Sequence, residues 1–278
     1  MPESPYPMIP VADATQIILR HVAPLPPVTV PFFEALGLVL AEPVTAGEPM
    51  PPFAASAVDG YALIAADAGP RRVVGDQMAG YVAGLRVEAG TAVRVTTGAP
   101  VPPGADAVVM VEQTREQDGL LTLTAPVAAG SNIRPVGTDI EAGQQVLPAG
   151  TLLNPAEIGL LATVGQTTVQ VHPRPKIGVM STGDEILEPG RPLNPGQIPD
   201  ANRFALMGAV RQAGGIPVNL GIVRDRQDAL ASTIRRGLAQ ADGLLTSGGV
   251  SMGRLDLVKP YLAEHGVLHF GRVNTKPG

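Results

Sequence analysis

At His172-Pro173-Arg174-Pro175 the pattern of the chain changes, and this change constrains the fold more than any other feature. Prolines so close together interrupt helix and sheet alike, because each lacks an N–H and fixes its own φ. Beyond them strand-like runs alternate with amphipathic helical ones. Lys176–Ser181, Ile216–Val223, Gly243–Ser247 and Val267–Phe270 read as strands, and Ala201–Ala213, Gln227–Gln240 and Asp256–Glu264 as helices. Leu230, Ile234 and Leu238 form one apolar stripe, and Val258 with Leu262 another. Such alternation predicts parallel strands, right-handed crossovers and helices on both faces of a doubly wound α/β domain.

Ahead of the linker the pattern differs. Val11–Val22 reads as a helix with Asp13 or Thr15 as N-cap, Pro31–Leu36 as a short helix ending at Gly37, and Asn154–Val164 as a helix opened by Asn154-Pro155 and stopped at Gly165. Between Pro43 and Thr138, short β-branched runs such as Ala92–Thr96 and Ala107–Val111 alternate with Pro and Gly turn signals. This predicts a β-rich domain inserted into a mixed one. The expected division is 1–42 with 140–175 (mixed), 43–139 (β-rich) and 176–278 (α/β), a multidomain α/β protein.

Composition narrows the function classes. The 33 glycines and 29 prolines among 278 residues follow no Gly-X-Y period, which excludes collagen. With no Cys there is no disulfide scaffold, thiolate metal site or cysteine nucleophile, which fits a reducing compartment, the cytosol by default. A net charge of −5, no Trp and no basic patch argue against nucleic acid as a partner. Neither a signal peptide nor a membrane-spanning run is read.

In open α/β sheets ligands bind beyond the carboxyl ends of the strands. The loops there are Ser181-Thr182-Gly183-Asp184-Glu185, Arg224-Asp225, Ser247-Gly248-Gly249-Val250-Ser251-Met252-Gly253 and Lys276-Pro277-Gly278. The third, with its glycines and serines ahead of a helix, suits a phosphate, although it is neither a Walker motif nor a dinucleotide fingerprint. A plain glycine-rich connection is the alternative. Glu185, Asp225 and Asp256 offer hard oxygen donors for Mg²⁺; helix capping competes as an explanation of Asp225 and Asp256. Asp59 could equally be the Asp of an Asp-Gly turn, and Asp139 an ordinary loop acid. The histidines, His21, His172, His265 and His269, read as structural.

Taken together, the loops resemble those of the MoeA/gephyrin E-domain family, the molybdopterin molybdenumtransferases. The resemblance rests on Ser56-Ala57-Val58-Asp59-Gly60-Tyr61-Ala62, Thr97-Gly98-Ala99-Pro100-Val101-Pro102, Gly104-Ala105-Asp106-Ala107-Val108-Val109 and Asn132-Ile133-Arg134 with Gly137-Thr138-Asp139-Ile140. It continues through Ser181–Glu185, Asp200-Ala201-Asn202-Arg203, Ser247–Ser251 and Lys276-Pro277-Gly278. It implies insertion of molybdate into adenylylated molybdopterin with Mg²⁺-assisted release of AMP. Asp59, Thr97, Asp139, Glu185, Asp225 and Asp256 then match active-site positions, with Glu185, Asp225 and Asp256 as metal ligands. Gly183, Asp184, Ser247, Gly248, Gly249, Ser251, Lys276 and Pro277 match pterin-binding positions.

The resemblance also implies a homodimer in which Asp59 serves the neighbour's substrate, with the molybdopterin adenylyltransferase and apo-molybdoenzymes as partners. The family's KPGKP motif is present only as Lys276-Pro277-Gly278, so the expected continuation includes the rest of the α/β domain and a C-terminal β-barrel. Ala54-Ala55 stand in place of the family's Asp-Asn, and Val58 in place of Met. Rival readings are an adenylyltransferase-like nucleotidyl transferase, which the long N-terminal half disfavours, and a non-catalytic pterin-binding scaffold.

Overall fold

The computed structural model describes residues 6–248 and 257–275. By its contacts the chain separates into two compact units. One comprises Met1–Val30, Gly37–Ala41 and Gln170–Gly278; the other comprises Pro31–Leu36 and Glu42–Val169.

The first unit is built on a parallel sheet in which Lys176–Thr182 lies between Ile216–Val223 and Gly243–Ser247. Helices Asn202–Gln212, Gln227–Leu238 and Val258–His265 accompany it. Met180, Leu220, Val223, Leu230, Ile234, Val258 and Tyr261 form its core. The strand-helix alternation of the sequence is therefore present, with a doubly wound α/β character.

Several details depart from the expected pattern. Val267–Phe270 is not a strand: it lies between Gly266 and Gly271 with Val267 79% exposed, and the short strand that follows, Arg272–Val273, pairs in parallel with Met8–Ile9. Among the described residues the sheet thus has three strands. Leu238 is 61% exposed, because 3.6 residues per turn carry the buried face from Leu230 through Thr233 and Ile234 to Gly237. Gly237 gives that face its close fit: a Cβ there would lie 2.7 Å from Leu244 and 2.8 Å from Leu220. Likewise Tyr261, not Leu262, is buried beside Val258. Helix Val11–His21 is capped by neither Asp13 nor Thr15; Pro10 occupies the N-cap position, and the Thr15 hydroxyl donates to the Val11 carbonyl at 3.0 Å.

The second unit holds a mostly antiparallel six-stranded sheet in the spatial order Thr114–Gln117, Leu120–Leu123, Arg71–Gln77, Thr91–Val95, Gly60–Leu63 and Ala107–Met110. Both faces of Gly60–Leu63 and Ala107–Met110 are covered, which is why these two strands read as short unbroken apolar runs. Tyr61, Leu63, Ala107, Val109 and Leu121 pack on one side, and Ala62, Val93, Val95 and Val108 on the other. Helix Pro155–Thr163 begins as anticipated, with Asn154 at the N-cap and its N–H donating to Glu157 Oε2 at 2.9 Å. Expected helix Pro31–Leu36 is a 3₁₀ turn, Phe32–Ala35.

Candidate functional site

At the carboxyl end of the parallel sheet a cavity of about 260 Å³ is lined by Ser181, Thr182, Glu185, Asp200, Asn202, Ser247 and Gly248, among others. The small parallel pair Ile186–Leu187 with Ile198–Pro199 frames one side. Its position follows from the fold, since strands ending in step leave their last hydroxyls and amides facing a shared crevice.

Two glycines shape this cavity. Gly248 has φ +86°, and a Cβ there would come within 2.8 Å of the Thr182 carbonyl oxygen and 2.9 Å of its hydroxyl. The Thr182 hydroxyl, in a residue only 8% exposed, has no hydrogen-bond partner among the described residues. Buried hydroxyls are nearly always paired, so an orphan lining a cavity is suited to a ligand acceptor or donor. Gly183, at φ +143°, leaves room for the Glu185 carboxylate, whose oxygens would lie 2.5 and 2.7 Å from a Cβ at that position.

Behind the cavity lies a buried charge network. The Ser181 hydroxyl donates to Asp200 Oδ1 at 2.9 Å, and the same carboxylate accepts Arg203 Nε on Oδ2 at 2.7 Å. Arg203 also donates from Nη2 to both oxygens of Glu188 at 2.7 Å and from Nη1 to Asn219. Burial acts to lower the Arg203 pKa, but Asp200 and Glu188 outweigh it and raise the pKa above the ordinary arginine value. The sequence shows the motif Asp200-Ala201-Asn202-Arg203 without showing this role. The available signal was an Asp and an Arg three residues apart at a helix start, an i, i+3 pair.

Glu185 lines the cavity, and its carboxylate accepts no hydrogen bond from the described residues. Asp184 carries neighbours instead: its backbone carbonyl accepts Arg224 Nη1 at 2.8 Å, and its Oδ1 accepts the Asp225 N–H at 3.4 Å. Asp225 does not cap the following helix; Arg226 occupies the N-cap position. Gly249, Ser251, Asp256, Lys276 and Pro277 lie outside the described residues. Among the described residues no three His, Asp or Glu side chains form a metal-holding group. What is present fits a hard cation in donor type: the carboxylates of Glu185 and Asp225 are oxygen ligands of the kind Mg²⁺ takes, one or two at a time, with substrate oxygens completing its shell.

In the β-rich unit Asp59 and Thr97 meet directly. The Thr97 N–H and hydroxyl both donate to Asp59 Oδ1, at 2.6 and 2.9 Å. The backbone bond and then the side-chain bond hold the Asp59 carboxyl below the usual aspartate range, so it is an anion at neutral pH. Pairing of Ile133–Arg134 with Ala55–Ser56 anchors the segment that leads to Asp139, whose carboxylate is ion-paired with Arg134. Tyr61 turns its hydroxyl to Glu116 Oε2 at 2.6 Å. Asp59, Thr97 and Asp139 thus belong to one unit and Glu185 and Asp225 to the other.

A parallel sheet with a crevice at its strand ends, in a chain that also carries a β-rich unit with an exposed, ionised aspartate, defines a multidomain α/β protein with its candidate ligand site at the carboxyl ends of the strands. Comparison specifies it further. Residues 9–165 match the MoeA N-terminal region (domain I and II), and residues 178–278 match the family described as “Probable molybdopterin binding domain”. The chain is 38% identical to the molybdopterin molybdenumtransferase of Nostoc sp., over 100% of this chain and 67% of that one. Gephyrin of Dictyostelium discoideum is 36% identical over 99% of this chain and 43% of its own length. The crystal structure of a molybdopterin biosynthesis MoeA protein from Pyrococcus horikosii superposes with a TM-score of 0.84 at 31% identity, covering 98% of this chain and 70% of that one. The chain belongs to the MoeA family.

Proposed function

We propose that this chain serves molybdenum cofactor biosynthesis as a molybdopterin molybdenumtransferase, taking adenylylated molybdopterin and molybdate as substrates and releasing AMP. The carrying observation is the Thr182 hydroxyl, unpartnered among the described residues, in a polar-edged cavity at the carboxyl ends of the parallel strands, beside a glycine that keeps the approach open. The substrate's phosphate would accept from Thr182, Ser247 and the amides that follow, with Gly183 and Asp184 at the same edge.

Release of AMP is displacement at phosphorus, in which an oxygen of water or molybdate forms a new P–O bond as the P–O bond of the AMP–phosphate linkage breaks and AMP leaves, a reaction governed by positioning and by compensation of oxygen charge. Glu185 and Asp225, with Asp256, are the proposed holders of Mg²⁺, which when bound supplies positive charge to the phosphate oxygens. The Asp200–Arg203–Glu188 network fixes Ser181 and hence the cavity wall. Asp59, Thr97 and Asp139 contribute from the β-rich unit, and a homodimer in which they serve the neighbouring subunit's substrate is part of the proposal. So are the adenylyltransferase that supplies the substrate and the apo-molybdoenzymes that receive the product.

Incubation with adenylylated molybdopterin, molybdate and Mg²⁺, with AMP followed by chromatography, tests the reading. AMP release that requires Mg²⁺ and falls at least about tenfold in Glu185→Gln, roughly 1.4 kcal/mol in the barrier, supports it. Tight pterin binding without AMP release would favour the scaffold reading, and consumption of ATP would favour a nucleotidyl transferase.

A further inference from the structure

The β-rich unit contains a second cleft, unrelated to the residues above. It has a volume of about 450 Å³ and is lined by Ala65, Asp67, Pro70, Arg71, Leu123 and Val127, among others. Its floor is apolar, since Ala65, Leu123 and Val127 pack onto the core of Leu63, Ala107 and Leu121. That volume falls in the range of small-molecule pockets.

Arg71 gives the cleft its chemistry. The residue is 3% exposed, on the Arg71–Gln77 strand opposite Leu121. Nη1 donates to the Gly69 carbonyl at 3.1 Å and Nη2 to the Asp67 carbonyl at 2.6 Å, while the buried Nε has no partner among the described residues. None of the ion pairs among the described residues involves Arg71. Carbonyls satisfy donors without neutralising charge, and a buried cation without a counter-ion retains its desolvation cost. Arg203, equally withdrawn from water, has two carboxylates to offset that cost.

We propose that this cleft binds a small monocarboxylate with an apolar body, the carboxylate neutralising Arg71 and the body covering Ala65, Leu123 and Val127. A guanidinium is suited to a carboxylate because its planar fork matches the two oxygens. Asp67 lines the same cleft, its Oδ2 accepting the Gly90 N–H at 2.8 Å. A second negative charge on the ligand would therefore meet repulsion, which selects against a phosphate dianion.

Hexanoate titrated into the full chain, followed by backbone amide chemical shifts, tests the proposal. Saturable shifts confined to residues 65–71 and 122–127, absent with 1-hexanol and with inorganic phosphate and reduced at least about tenfold in Arg71→Gln, are the expected result. Ala125→Glu, which brings a carboxylate to the cleft wall while leaving Arg71 in place, should also block hexanoate, so the test survives if Arg71→Gln fails to fold. Absence of saturation, equal binding of hexanol, or full hexanoate binding by Ala125→Glu would overturn the proposal. So would binding of a leucine-terminated peptide through its free carboxylate by a chain that ignores hexanoate.

Discussion

Arg203 in the α/β unit and Arg71 in the β-rich unit are withdrawn from water to nearly the same degree, yet the hydrogen bonds of one go to the side chains of Asp200, Glu188 and Asn219 and those of the other, among the described residues, to backbone carbonyls. The Arg203 charge is more than neutralised within the protein, by two carboxylates, and the network holds a cavity wall in place. Arg71 has no ion-pair partner among the described residues and lines a cleft. Burial alone therefore does not tell what an arginine is for; its counter-ions do.

Substitution should separate the two arginines. Arg203→Met leaves Asp200 buried and unpaired, so urea denaturation should show a loss of about 3–5 kcal/mol. Arg71→Met removes a charge that no ion pair among the described residues neutralises as well as two carbonyl bonds, and these effects oppose each other, so the change should stay within about 1 kcal/mol. Equal losses in the two variants would break the comparison.

Within the α/β unit, Thr182→Val sharpens the contrast between a satisfied and an unsatisfied buried group. The hydroxyl has no partner among the described residues, so removing it should stabilise the fold by roughly 1 kcal/mol in the same denaturation experiment, while weakening pterin binding. A destabilised Thr182→Val protein would mean that the hydroxyl is paired in solution.

The smallest expected effect lies at the surface of the β-rich unit. Asp59 is fully exposed, and Thr97 depresses its pKa, so the stability it contributes is present above the unfolded-state pKa and is lost as pH falls through the lower folded-state value. Thr97→Ala removes the side-chain bond and retains the backbone bond. In a carboxyl NMR titration the Asp59 midpoint should move up only part of the way to that of an ordinary aspartate; an unmoved midpoint would remove Thr97's hydroxyl from the account.

Much of the fold could be read from the sequence where local pattern and burial agree. The strand Lys176–Thr182, the helix after Asn154-Pro155 and the β-rich run of short strands follow from apolar spacing and turn residues. Val267–Phe270 misled because a short apolar run between glycines carries no information about whether a sheet edge is available to it. The Arg203 network was hidden for a different reason: Glu188 and Asn219 lie 15 and 16 residues away in sequence and meet the guanidinium only through tertiary folding. The loops flanking the cavity were legible as polar and glycine-rich, whereas the orphan hydroxyl of Thr182 is a property of packing that spacing cannot encode.

The central claim is that the cavity bounded by Thr182 and Gly248 receives the phosphate-bearing end of molybdopterin. Its most direct test is a fluorescence titration of molybdopterin against the parent chain and Gly248→Val, with circular dichroism as the control for folding. At Gly248 a side chain would be strained at φ +86° and would press against the Thr182 hydroxyl. Saturable binding by the parent and at least about a hundredfold weaker binding, roughly 2.7 kcal/mol, by a folded Gly248→Val chain is the predicted result; equal affinity in the two would contradict it.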